Sequence, residues 1–306
     1  MERNVTLDYF KVFLSILVIT IHIGPLSATY PLLNWLISQG IARIAVPCFF
    51  VINGYYLAKK IDNPKALKKY IRHLLIIYAV WSAFYILLNI DQPPITVSLF
   101  LEYIVLGILH LWYVIALVYG TLLLYIAKRF IKNDTALLVL AILIFSIGVF
   151  CEPLRDGNIH IVRNGFFVGF PFIFLGYYIY KHNLILKSGS ITLAALIALS
   201  LITLCIESSY AKDMCFVRDT YLSLIVCCPA IIIFVFKHSS YRMPNTYLTY
   251  LSSLGSAIYF IHYFVIIKLW DISMPYTIIR FGVILFLSII LSVFIIYINK
   301  RIKIFL

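Results

Sequence analysis

Charge is scarce in this chain. Only 12 of its 306 residues are acidic, and charged residues of both signs make up just 12%. With 63% hydrophobic residues and a mean hydropathy of +1.01, it has far more apolar surface than one soluble core could hide. Repeats, low-complexity tracts and Gly/Ser- or Pro-rich linkers are also missing, so one domain is expected to fill residues 1–306. The longest polar stretches, Lys59–His73 and Glu207–Asp219, are too short to hold another. The six cysteines, Cys48, Cys151, Cys205, Cys215, Cys227 and Cys228, lack metal-ligand spacing and read as small apolar residues; pairing of Cys205 with Cys215 stays open. The first apolar run lacks a small-residue cleavage site and holds Lys11, so no cleavable leader is expected.

What is present is a series of membrane-length apolar runs. A span of about 20 residues fits ten times, near 7–28, 32–58, 74–91, 103–127, 135–151, 161–180, 190–207, 220–236, 247–270 and 276–299. The expected fold is therefore an all-α, polytopic bundle of about ten transmembrane helices. The net charge of +13 could suggest nucleic acid, but no polar module gathers the basic residues, so no nucleic-acid partner is expected. The excess instead alternates between connections. Arg3, Lys59, Lys60, Lys65, Lys68, Lys69, Arg72, Lys128, Arg129, Lys132, Lys181, Lys187, Lys237, Arg242, Lys300, Arg301 and Lys303 would share one side, against Arg155, Lys212 and Arg218 opposite. The positive-inside rule then puts both termini in the cytoplasm.

Ionisable groups at membrane depth cost roughly 3 kcal/mol each, so they mark sites or pathways. In "LDYFKVFLSILVITIHI", Lys11 and His22 are eleven residues apart, three helical turns plus about 20° and a rise of about 16 Å. They share a face, along which an anion held at Lys11 could send an extended arm to chemistry at His22. Alone, Lys11 could snorkel to headgroups and His22 could be a buried, hydrogen-bonded histidine. In "RIAVPCFFVINGYYL", Arg43 needs an anionic partner or water, and Pro47 with Gly54 is expected to bend the span around a cavity. Asn53 could serve as an interhelical hydrogen bond. Glu102 and His110, eight residues apart, would lie near one helix face and, with Trp112 and Tyr113, form an outer aromatic wall or an interfacial belt. Arg163 with Asn164 would be an acceptor contact or an anchor, and His262 a core histidine.

The pattern of Asp8, Lys11 and His22 in the first span, then Arg43, Pro47, Phe49, Phe50, Asn53 and Gly54 in the second, resembles the membrane-bound acyltransferase family 3. "HLWYVIALVYG", "RNGFFVGFPFIFLGYYI" and "SAIYFIHYFVI" extend the resemblance over essentially the whole chain. Lys11 stands where Arg is commoner in the family, and Asn53 where Ser is usual. The resemblance implies an integral O-acyltransferase of the bacterial cytoplasmic (inner) membrane. It would move an acyl group, usually acetyl, from cytoplasmic acetyl-CoA to a hydroxyl of a cell-surface or lipid-linked glycan, among membrane lipids and without a metal. On that basis His22 and Arg43 are the catalytic candidates, with His22 as general base or, alternatively, an acylated intermediate. Lys11, Arg43 and Asn53 are the donor-binding candidates, Lys11 being helped by the basic Lys59–His73 stretch. Glu102, His110, Trp112 and Arg163 are the acceptor-binding candidates. A transporter of a small anion or amino acid, using the same buried polar residues, is the alternative class; internal symmetry would favour it, and the two halves show no convincing repeat.

Overall fold

The computed structural model describes residues 2–24, 26, 29–88, 96–154, 159–214, 216–270, 272 and 278–306. Helices dominate. In chain order they are α1 Val5–His22, α2 Pro31–Trp35, α3 Ala45–Leu57, α4 Pro64–Leu88, α5 Val97–Leu106, α6 Trp112–Phe130, α7 Asp134–Cys151, α8 Phe170–Lys181, α9 Leu184–Lys187, α10 Ser190–Asp213, α11 Leu224–Lys237, α12 Thr246–Lys268 and α13 Ile278–Ile302. Two short strands, β1 Arg3–Asn4 and β2 Tyr241–Arg242, pair antiparallel. Among the described residues eight helical segments are long and apolar enough to cross a membrane, and two shorter ones, Gly165–Lys181 and Leu224–Lys237, add to them. The chain is an all-α polytopic membrane bundle, with a helix at each of the ten expected spans.

Asparagines start several helices. The Oδ1 of Asn4 accepts from Leu7 N, that of Asn133 from Thr135 N and Ala136 N, and that of Asn245 from Leu248 N. Each satisfies backbone donors left over by the first turn. Asn63 does the same for Lys65 N and Ala66 N, with Pro64 at the first helical position, where no donor is needed. The third span therefore begins at Pro64, ten residues before the apolar run. Lys65, Lys68, Lys69 and Arg72, expected in a loop, ride on the first turns of α4.

The bend expected in the second span also lies elsewhere. Pro47 is the third residue of α3, where its missing N–H costs little. The irregular stretch precedes it, as a π-helical turn Leu36–Gly40 followed by a 3-10 turn Ile41–Ile44.

Contacts group the chain into two compact units. The first comprises Met1–Phe49, Ile185–Ile304 and Leu306; the second comprises Phe50–Leu184 and Phe305. In the first, α1 packs along α12, α12 along α13, and α10 along α11. Its apolar core joins Ile19, Ile23, Ile258, Val265, Ile266 and Ile284. In the second, α3 and α8 meet through glycines. A Cβ on Gly54 would lie 2.0 Å from the Ile173 carbonyl oxygen, and one on Gly176 2.0 Å from that of Val51. Small residues permit this backbone approach, and close packing is what holds helices together where lipid removes the hydrophobic drive. Trp81 Nε1 donates to the Phe305 carbonyl at 3.0 Å, tying the C-terminal end to α4.

Candidate functional site

The first turn of α1 carries Asp8, buried with its side chain 7% exposed, at the helix end that favours an anion. Lys11 Nζ lies 2.8 Å from its carboxylate and Arg3 Nε 3.8 Å. Lys11 is thus ion-paired within its own helix, in a cluster with one cation in excess. The expected open path from Lys11 to His22 does not exist. Ser15 and Val18, between them on that face, are 0% and 2% exposed. Ser15 Oγ donates to the carbonyl oxygens of Gly255, at 2.7 Å, and of Lys11, at 3.0 Å. A Cβ on Gly255 would come within 3.0 Å of the Lys11 backbone, so glycine lets α12 fill the space an extended arm would need.

At the other end of the same seam, His22 is half-buried between two rings. Its centroid is 5.5 Å from that of His262, tilted 32°, and 5.5 Å from that of Tyr263, edge-on at 87°. His262 is fully buried, and its Nδ1 approaches the carbonyl oxygens of Tyr259 at 2.8 Å and Ile258 at 3.2 Å. A carbonyl only accepts, so Nδ1 is the donor. In the neutral ring the lone pair is then at Nε2.

Arg43, 7% exposed, sits on the 3-10 turn that packs against α1. Its Nη1 lies 2.5 Å from Asp219 Oδ1, and Nη2 donates to Gln39 Oε1. The anion that a guanidinium needs at such a site is part of the chain, contributed from 176 residues away. Nearby, Trp35 Nε1 donates to the Ser208 carbonyl at 2.8 Å, and Glu207 accepts from the Ser223 hydroxyl at 2.6 Å and backbone N–H at 3.2 Å. The π-turn before Arg43 swings Gln39 into this polar group; such turns recur at functional sites.

The remaining candidates lie in the second unit. Asn53 Nδ2 donates to Tyr113 Oη at 2.9 Å while its Oδ1 accepts from Tyr70 Oη at 3.1 Å. It acts as an interhelical tie, donating through its Nδ2 and accepting through its Oδ1. Glu102 and His110 do not share a helix. The chain breaks at Gly107, whose φ of +96° suits glycine, and a Cβ there would lie 2.4 Å from Trp112 Cα. Glu102 is on α5, whereas His110 is on a 3-10 turn, Leu109–Leu111, buried edge-on against Tyr85 at 5.1 Å. Glu102 pairs instead with His160, Oε1 to Nε2 at 3.5 Å. Burial pulls His160 below the ordinary histidine value; the Glu102 carboxylate opposes this and Arg163 adds to it. Asn164 caps the π-turn Gly165–Gly169, accepting from Phe166 N and Phe167 N at 2.9 Å. Trp112 opens α6 with its ring 6.4 Å from that of Phe50.

Comparison with known proteins bears on this constellation. A family model described as an acyltransferase domain matches residues 4–297. The chain belongs to acyltransferase family 3. A serine/alanine racemase of Enterococcus gallinarum is 28% identical over 289 aligned residues, which cover 79% of this chain and 39% of the relative. An amino-acid racemase of Enterococcus faecalis is 28% identical over 151 residues, 47% of this chain and 21% of the relative. The chain thus spans at most about two fifths of the length of these curated relatives. No solved structure matches. The chain carries Lys11, His22 and Arg43 in its first unit and Asn53, Glu102, His110, Trp112 and Arg163 in its second. Asp219 and His160 were missed by sequence reasoning: a loop aspartate and a histidine outside any span carry no local mark of their distant partners. Cys215 and residues 155–158 lie outside the described residues.

Proposed function

We propose that this membrane acyltransferase takes acetyl from cytoplasmic acetyl-CoA and delivers it to a hydroxyl of a cell-surface or lipid-linked glycan, in the inner membrane of a bacterium. His22 is the general base. It takes the acceptor hydroxyl proton as that oxygen bonds to the thioester carbonyl carbon. When the C–S bond breaks, the imidazolium returns the proton to the departing thiolate, leaving an ester and coenzyme A. A positioned base of this kind supplies about 10²–10⁴-fold. The observation that carries the reading is the half-buried His22 ring, held between His262 and Tyr263, in a chain of an acyltransferase family.

The other residues take roles consistent with their contacts. Lys11 and Arg3 share Asp8 at the far end of α1, where α12 covers the face leading to His22, so they hold that end of the helix rather than the donor at His22. Arg43, neutralised by Asp219, supports the shape of the first unit rather than receiving the donor's charge. Mass analysis of surface glycans tests the reading: a deletion strain loses an acetyl increment, wild type restores it and His22→Ala does not. Restoration by His22→Ala removes His22 from the mechanism.

A second reading is favoured by the relatives, which are a serine/alanine racemase and an amino-acid racemase. In it the chain moves an amino acid or small anion across the membrane. Proteoliposomes that accumulate labelled serine without consuming acetyl-CoA would favour it.

A further inference from the structure

We infer that His262 is a positioning residue for His22, set opposite it by an in-register parallel seam between α1 and α12. The inference rests on the reading of His22 as base. Ser15 hydrogen-bonds to Gly255, and seven residues further along both helices His22 packs on His262. The same offset at two points two turns apart means that α1 and α12 run parallel and keep register. A seven-residue step returns to the same seam, as in supercoiled helix pairs. Val5 packing with Leu248 and Leu251 at one end, and Ile19 with Ile258 near the other, fits that register.

The contact at Gly255 fixes the translation of the seam, because any Cβ there would press on the Lys11 backbone. The Ser15 hydroxyl clips it at the same level. His262 itself cannot turn without losing its Nδ1–H contacts with Tyr259 and Ile258, so its ring plane is set by its own helix. A rigid, correctly placed ring thus becomes the wall against which His22 rests, with Tyr263 closing the adjoining edge. His262 does not touch the reacting atoms; it limits the orientations that His22 can adopt. Reactive geometry is sensitive to such limits, since a misplacement of about 1 Å can cost 10²-fold in rate.

Two substitutions separate the wall from the hydrogen bond. His262→Phe keeps a ring of similar reach and loses the Nδ1–H contact; His262→Asn keeps a donor for the backbone carbonyls and loses the ring. Each is purified in detergent and checked for folding by its thermal transition. Acetyl transfer is then measured with acetyl-CoA, and the rate at which diethyl pyrocarbonate modifies His22 is followed by peptide mass analysis. The expected result for His262→Asn is at least a tenfold fall in kcat with KM for acetyl-CoA within twofold, and faster modification of His22. His262→Phe is expected to recover most of the turnover and of the protection. Wild-type kcat and wild-type His22 modification in a folded His262→Asn protein would overturn the inference. The modification readout needs no turnover: if His22→Ala is fully active, the base reading fails, yet the wall is still tested by how His22 reacts in the two His262 variants.

Discussion

Asp219→Asn removes the negative charge from a pair in which both side chains are almost fully buried and sets an amide against the Arg43 guanidinium. Breaking such a pair costs about 3–5 kcal/mol, whereas replacing both members by apolar residues is far milder. Asp219→Asn is therefore expected to lower the thermal transition of the purified protein markedly, and Arg43→Met with Asp219→Leu to recover most of it. A transition unchanged in Asp219→Asn would show that the pair carries no weight. At His160 the sign is also fixed. Its folded pKa lies below the ordinary value, so stability is complete above about pH 6.5 and falls as pH drops below it. The Glu102 carboxylate opposes that fall, so Glu102→Gln and wild type are expected to match at pH 8 and to diverge below pH 6, the variant being less stable by under about 1 kcal/mol, because Glu102 is half exposed. Thermal transitions across pH 5–8 check this. At this scale sequence reasoning read the costly residues, Lys11, His22 and Arg43, from their polarity inside apolar runs. It could not read their partners, because Asp219 and His262 meet Arg43 and His22 only through the tertiary fold.

Among the elements, the glycines divide sharply. Gly54→Ala would drive a methyl to 2.0 Å from a backbone oxygen of α8, where no rotamer change can relieve it, while Gly282→Ala meets nothing within 4 Å. Fluorescence-detected size exclusion of detergent extracts is expected to show Gly54→Ala aggregated or absent and Gly282→Ala like wild type. A monodisperse Gly54→Ala protein would mean that α3 and α8 are further apart. The elements themselves were largely legible, since each of the ten apolar runs coincides with helix. The errors had local causes. Asn63 and Pro64 form a helix start that hydropathy does not see, and Gly107 breaks what looked like one continuous span into α5 and α6. The shared face of Lys11 and His22 follows from helical geometry, but what covers it depended on Gly255, a residue without a side chain to announce its contact.

For the whole molecule, we propose from the alternation of basic connections that both ends of the chain face the cytoplasm. Pairing of β1 with β2 fits, because an even number of crossings separates them. Single cysteines in a chain cleared of its native ones are expected to react with an impermeant maleimide on intact cells at Lys212, and to be protected at Lys65 and Asn133. The central claim, however, is chemical. Its most direct measurement supplies acetyl-CoA labelled in the acetyl group to inside-out membrane vesicles bearing either the wild-type chain or an equally inserted His22→Ala variant, and follows label leaving coenzyme A for alkali-labile ester in the glycan fraction. The account predicts transfer with wild type and a rate lower by about 10²–10⁴-fold with His22→Ala. Equal transfer by the two proteins, or none by wild type in vesicles that accumulate labelled serine, would contradict it.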